Sequence, residues 1–341
     1  MKQHFKTKGI SDDKKVIPYN ESDDEFVLSP NDILVTKDMI TPENQFLAVD
    51  GVDCTGKGSI TELIERKGLG ISGIKVKRVD FPQYDLPSGA MIKSYLNGNY
   101  GDYSRLFSSV PGDSAVEWHA IASGRSEHLV KDIRFVMLLY ALNRIEYFKT
   151  VSIDPDTVYV FDRFSYSNII HQLSALYSFY NTGIGEGLLQ IEWRSKSSHR
   201  VVNFHEYKID RLIGMLNSMH SEIYGFEGYN DVPFPYTFLL LLDEDSILER
   251  LENRKETKHE GNDILERKGA IHRACEFLTS DIMDYHLSNG VVPLYIPAFE
   301  NDNDKIADMI ISLYKTAVAN NVNPRELSDI LADDEDDSDD E

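Results

Sequence analysis

The sequence predicts an α/β fold in three layers, a five-stranded parallel sheet covered by helices on both faces. Three observations lead there. Five short apolar runs, at 46–50, 74–79, 157–161, 236–242 and 291–296, are rich in β-branched and aromatic residues, as buried parallel strands are. Longer stretches separate them, with helical periodicity plain at 134–148, 209–223 and 246–254. A glycine-containing turn joins the first run to a helical stretch from Ser59, giving the strand, loop and helix of an α/β unit.

Taken in chain order, residues 1–45 mix Lys, Asp, Ser and Asn with few apolar positions and read as a polar, partly flexible N-terminal arm whose second half packs on the body. One domain follows over 46–322. Its first strand ends at Gly51, its second leads into Phe81-Pro82, and its third ends at Asp162-Arg163. Two stretches, near 99–133 and 175–232, carry Trp118, Trp193 and several Tyr, and read as packed insertions. Within the second, Gly183-x-Gly185-x-Gly187 has the wrong spacing for a dinucleotide fingerprint and reads as a loop. After the fourth strand, Arg250, Arg254 and Lys258 are spaced by four, hence on one helical face if the helix continues. They sit among Glu249, Glu252 and Glu256, so a solvated, salt-bridged helix is an open alternative. Residues 323–341 read as a disordered acidic tail, because 329–341 hold nine acids and no base.

Composition narrows the function. The net charge of −22 argues against a broad electrostatic grip on nucleic acid or anionic membrane, while leaving room for a local basic pocket. Two cysteines, Cys54 and Cys275, cannot make a disulfide framework or a four-Cys zinc site. No run approaches the ~18 apolar residues of a membrane span, and the N-terminus has no apolar signal core. The expectation is a soluble, cytoplasmic protein. Histidines at 199, 205, 220, 272 and 286 show no paired ligand spacing, so a protein-held transition metal is not expected.

One motif carries the chemistry. Gly51-Val52-Asp53-Cys54-Thr55-Gly56-Lys57-Gly58-Ser59 has phosphate-loop spacing between a strand and a helix. Backbone N–H groups of such a turn and the positive end of the next helix cradle phosphate oxygens, and Lys57 adds a mobile charge for the β and γ groups of ATP. The usual motif has Ser or Thr directly after the Lys, as a magnesium ligand. Here that position is Gly58, which resembles the Lys-Gly-Thr order of adenylate kinases and makes Ser59 the hydroxyl expected nearest Mg2+. A phosphate loop identifies nucleotide binding only.

Four further stretches resemble thymidylate kinases, which pass the γ-phosphoryl group of ATP to dTMP. They are Asp162-Arg163-Phe164-x-x-Ser167 with Gln172; Phe81-Pro82-Gln83-Tyr84-Asp85-Leu86-Pro87-Ser88-Gly89; Leu138-Leu139-Tyr140-Ala141-Leu142-Asn143-Arg144-Ile145-Glu146; and Leu242-Asp243 leading into Arg250 and Arg254. The resemblance covers about 46–320 and implies a phosphate-loop NTPase-like fold with a helical lid. It implies ATP and dTMP as substrates and Mg2+ as cofactor, and it is compatible with a homodimer. Asp162, at the end of a strand, would hold the metal, and Arg163 would face the acceptor phosphate. An Asp-Arg pair closing a strand also occurs as a surface ion pair. Tyr140 matches the family's base-stacking Phe and Arg144 the Arg at the thymine edge. Asp53 matches the position that contacts the 3′ hydroxyl, Gln172 one near the base, and Phe81 and Pro82 line the acceptor site. Some members have an Arg two positions after that Pro, where this chain has Tyr84. The loop itself contains no Arg, which implies that Arg250 and Arg254 on the lid stabilise the transferring charge. Kinases of another deoxynucleotide or a nucleoside, and a nucleotide-binding switch or scaffold without turnover, are the alternatives.

Overall fold

The computed structural model describes residues 33–97, 126–181, 183–195, 203–258, 268–280, 291–295 and 302–331. Residues 1–32 of the arm, 99–125 of the first expected insertion and 332–341 of the tail lie outside them.

Five strands form one all-parallel sheet: β1 (Phe46–Gly51), β2 (Lys75–Asp80), β3 (Thr157–Asp162), β4 (Tyr236–Leu241) and β5 (Val291–Tyr295). Their spatial order is β2-β3-β1-β4-β5. Helices flank the sheet: α1 (Lys57–Lys67), α2 (Pro87–Leu96), α3 (Ser126–Thr150), α4 (Ser165–Asn181), α5 (Gly183–Ser195), α6 (Phe204–Tyr229), α7 (Glu244–Lys258), α8 (Lys268–Leu278) and α9 (Asn303–Ala319). This is the three-layer, phosphate-loop NTPase-like arrangement, and all five expected strands form.

The strand sequences account for their places. Central β1 is buried along its whole length, whereas edge strand β2 keeps Lys75 and Lys77 outward, charges that discourage a further strand from pairing. Successive residues of β1 and β3 alternate between two apolar clusters. Leu47, Val49, Val158 and Val160 join one, with Ile60 and Ile64 of α1. Phe46, Ala48, Tyr159 and Phe161 join the other, with Ile145 and Tyr147 of α3. Both faces of the sheet are therefore covered.

Two expectations need correction. Gly183-x-Gly185-x-Gly187, read as a loop, opens helix α5, which packs between α4 and α6 and buries Leu189. Tertiary packing overrides the low helix propensity of glycine there. The tail does not begin at 323, since Pro324–Leu331 forms a 3-10 helix against β4, β5 and α9, with Leu327 buried and Arg325 5.1 Å over the Phe234 ring. At the other end, within 33–45, Val35 is buried and the Asn44 carbonyl accepts a hydrogen bond from the Tyr314 hydroxyl at 2.9 Å.

Candidate functional site

Parallel order places the carboxyl ends of β1, β2 and β3 side by side, where α/β sheets bind ligands at a reversal of strand order. The phosphate loop leaves β1 there. Gly51 has φ +143° and a Cβ on it would lie 2.7 Å from the Leu240 carbonyl oxygen, so no other residue fits this close approach. Gly56, at φ +98°, caps the start of α1. Inside the loop, Lys57 Nζ donates to the Val52 carbonyl at 2.5 Å and lies 4.0 Å from Asp53. Thr55 Oγ1 donates to the same carbonyl at 2.9 Å. Burial pushes the Lys57 ammonium down to about 8, with Arg163 adding to the shift and Asp53, Asp162 and Asp50 opposing it. From α7, Arg250 Nη1 reaches the Cys54 carbonyl at 3.4 Å, and Arg254 lies one turn further on, half-buried.

Beside the loop is a cleft of about 320 Å³ that Asp53, Phe81, Pro82, Tyr140, Asp162 and Arg163 help to line. Asp53 belongs to both places: it is part of the loop and forms an ion pair with Arg163. Burial alone would raise the Asp53 carboxyl, but Arg163, Lys57 and His171 hold it well below the ordinary carboxylate value. His171 Nε2 lies 3.8 Å from the same carboxylate. Burial pushes that imidazole down to about 4, Asp53 opposing and Arg163 and Lys57 reinforcing the shift.

Several motif residues prove to hold the cleft's frame. Asp50, fully buried on β1, accepts from the backbone N–H of Phe164 at 2.8 Å, Tyr166 at 3.3 Å and Ser167 at 3.0 Å, and from Ser167 Oγ at 2.6 Å. A strand carboxylate thus caps α4 from outside the helix, which explains the Ser of the Asp-Arg-Phe-x-x-Ser stretch. Asn143 on α3 binds both backbone groups of Gln83 and the Ser88 hydroxyl, while Glu146 accepts from Ser88 N at 3.1 Å. The second and third motif stretches are therefore one scaffold.

Three expected roles change. Arg144 lines the cleft, but its guanidinium is 1% exposed and committed to Glu227 of α6 and to the Phe164 carbonyl, with Phe164's ring 5.2 Å away. It stands as a buried strut in the cleft wall, with its Nη2 paired to Glu227 but without a hydrogen-bond partner among the described residues. Gln172 is buried against the Tyr95 hydroxyl, and its neighbours Asn168 and His171 line the cleft instead. Ser59 is exposed on α1, whereas Gly58 faces Asp162: a Cβ there would come 3.0 Å from Asp162 Oδ2. The glycine after Lys57 is what lets that carboxylate approach the first turn of α1.

Asp162 would suit Mg2+ as its one protein carboxylate, since Mg2+ usually takes one or two carboxylates and completes its shell from substrate phosphates and water. Among the described residues no cluster of three or more His, Cys, Asp or Glu could cage a metal by itself. Residues that the sequence reading passed over are Arg78, Asn168, His171, Asp50 and Glu227. Arg78 and Asp80 carried a signal, being charged residues near the carboxyl end of a strand that neighbours the loop strand. Asn168 Oδ1 is buried without a hydrogen-bond partner among the described residues. Among these residues no helix is long and apolar enough to cross a membrane. No family model matches the chain, and no curated protein matches it.

Proposed function

We propose that the chain transfers the γ-phosphoryl group of ATP to dTMP, giving ADP and dTDP. The observation that carries this reading is the shared wall: Asp53 stands in the phosphate loop and pairs with Arg163 of the adjoining cleft, so a donor and an acceptor phosphate would meet there. Such transfer is mainly a matter of positioning and charge neutralisation. An oxygen of the acceptor's dianionic phosphate forms a bond to the γ-phosphorus, and the bond from that phosphorus to the β–γ bridging oxygen breaks. The electron pair leaves with ADP, and no protein base is needed. Lys57 and the N-terminus of α1 would hold the donor phosphates, with Arg250 reaching over the loop from α7. Arg163 would hold the acceptor phosphate, and Tyr140 and Phe81 offer ring faces for a base. Bound magnesium, held by the phosphates with Asp162 as its protein carboxylate, would neutralise charge on the polyphosphate.

The choice of dTMP rests on the resemblance. The commitment of Arg144 to Glu227 favours, as a second reading, an acceptor with another base. The test is purified protein with ATP and magnesium, offered each of the four deoxynucleoside monophosphates, with ADP release measured. We expect release with dTMP. A preference for dGMP, dCMP or dAMP would transfer the proposal to that acceptor, and no release with any would leave a nucleotide-binding protein without turnover.

A further inference from the structure

Three guanidinium groups line the cleft among the described residues, those of Arg78, Arg144 and Arg163. They are not equivalent. Arg144 is sealed at 1% exposure, whereas the side chains of Arg163 and Arg78 are 33% and 24% exposed. Tyr84, also on the cleft wall, brings a ring and a hydroxyl but no charge.

Arg78 stands near the carboxyl end of β2, with Nε 2.7 Å from Asp80 and Nη2 2.9 Å from Asp162. Its Nη2 would lie 3.5 Å from a Cβ at Gly58, so the guanidinium rests against the first turn of α1. A cation at the positive end of a helix is repelled unless anions hold it. Asp80 and Asp162 hold this one. Nη1 has no protein partner among the described residues, and a planar fork with donors to spare suits a phosphate.

We propose that Arg78 binds the phosphate of the acceptor nucleotide where the cleft meets the phosphate loop. This deepens the phosphoryl-transfer reading above and rests on it. The competing role is a strut that merely clips β2 to β3 through Asp162.

Calorimetry on the whole chain separates the two roles, using the monophosphate chosen by the turnover assay, or dTMP if there is no turnover, and the matching nucleoside. Arg78→Gln should weaken monophosphate binding about tenfold or more, a charge-assisted contact being lost, while nucleoside affinity stays within about twofold. Asp80→Asn removes an anion that competes for Arg78 and should tighten monophosphate binding. If Arg78→Gln does not fold, Arg78→Lys keeps the charge without the fork and should give a smaller loss in the same direction. An unchanged preference for monophosphate over nucleoside in the Arg78 variants, or an equal loss of both ligands in Arg78→Gln and Asp80→Asn, would overturn the proposal. Such a result beside continued ADP release by the wild-type chain removes the Arg78 assignment alone. Arg78-dependent monophosphate binding without any ADP release removes the kinase reading and leaves the assignment standing.

Discussion

At the scale of single residues, burial decides what a charged group can do. Arg144 and Glu227 are both buried and pair across 83 positions of sequence, with Ser165 Oγ donating to the other carboxylate oxygen at 3.2 Å. Removing one partner strands the other in the core. Arg144→Ala should therefore cost about 3–5 kcal/mol of stability, and Arg144→Met with Glu227→Leu should recover most of it. Urea denaturation of the single and double variants checks this, and additive losses would show that the two are not coupled. His171 gives a pH prediction. Its folded value of about 4 lies below the ordinary 6.5, so the unfolded chain takes up the proton first as pH falls. This residue's contribution is complete above about pH 6.5 and is lost between there and pH 4, by up to about 3 kcal/mol. His171→Asn should flatten that limb of the stability profile. An identical slope in wild type and variant would mean that the folded imidazole is not depressed.

At the scale of elements, the sequence was legible where local patterns sufficed. Strand β4 is an apolar run set between prolines at 233 and 235 and Asp243, and α3 shows its buried stripe in the chain itself. Helix α5 was not legible, because three glycines in its first five residues mask an apolar face that only α4 and α6 make use of. The same holds for the C-terminal 3-10 helix. Acidic composition after 329 suggested a tail from 323, yet Leu327 fills a site against the sheet, and Tyr236 donates a 2.6 Å hydrogen bond to the Val322 carbonyl just before it. Truncation after 331 should accordingly change stability by less than about 0.5 kcal/mol. Leu327→Ala should cost about 2–5 kcal/mol, measured by the same denaturation, and truncation after 322 at least as much. A silent Leu327→Ala would remove the packing role given to this segment.

At the scale of the whole molecule, the net charge of −22 surrounds a site that gathers Lys57, Arg78, Arg163 and Arg250 at one end of the sheet. Asp53, Asp80 and Asp162 offset these cations in the structure, and under the proposed function phosphate oxygens would take the place of some of these carboxylate contacts. A ligand that binds only the folded chain stabilises it by mass action. ATP with magnesium at one hundred times its Kd should add about 2.7 kcal/mol, read as a rise in Tm. No shift in Tm at millimolar ATP would argue against the phosphate loop as a nucleotide site. The sequence by itself determined the strand and helix alternation, the phosphate loop and the stretches that surround the cleft, because periodicity and turn chemistry are local. Only the tertiary structure decided that Asp50 caps α4, that Gly58 makes room for Asp162, that Arg144 is sealed by Glu227 and that Arg78 faces the cleft. Each of those facts joins groups on different elements, and charges far apart in the chain meet only through strand register and helix packing.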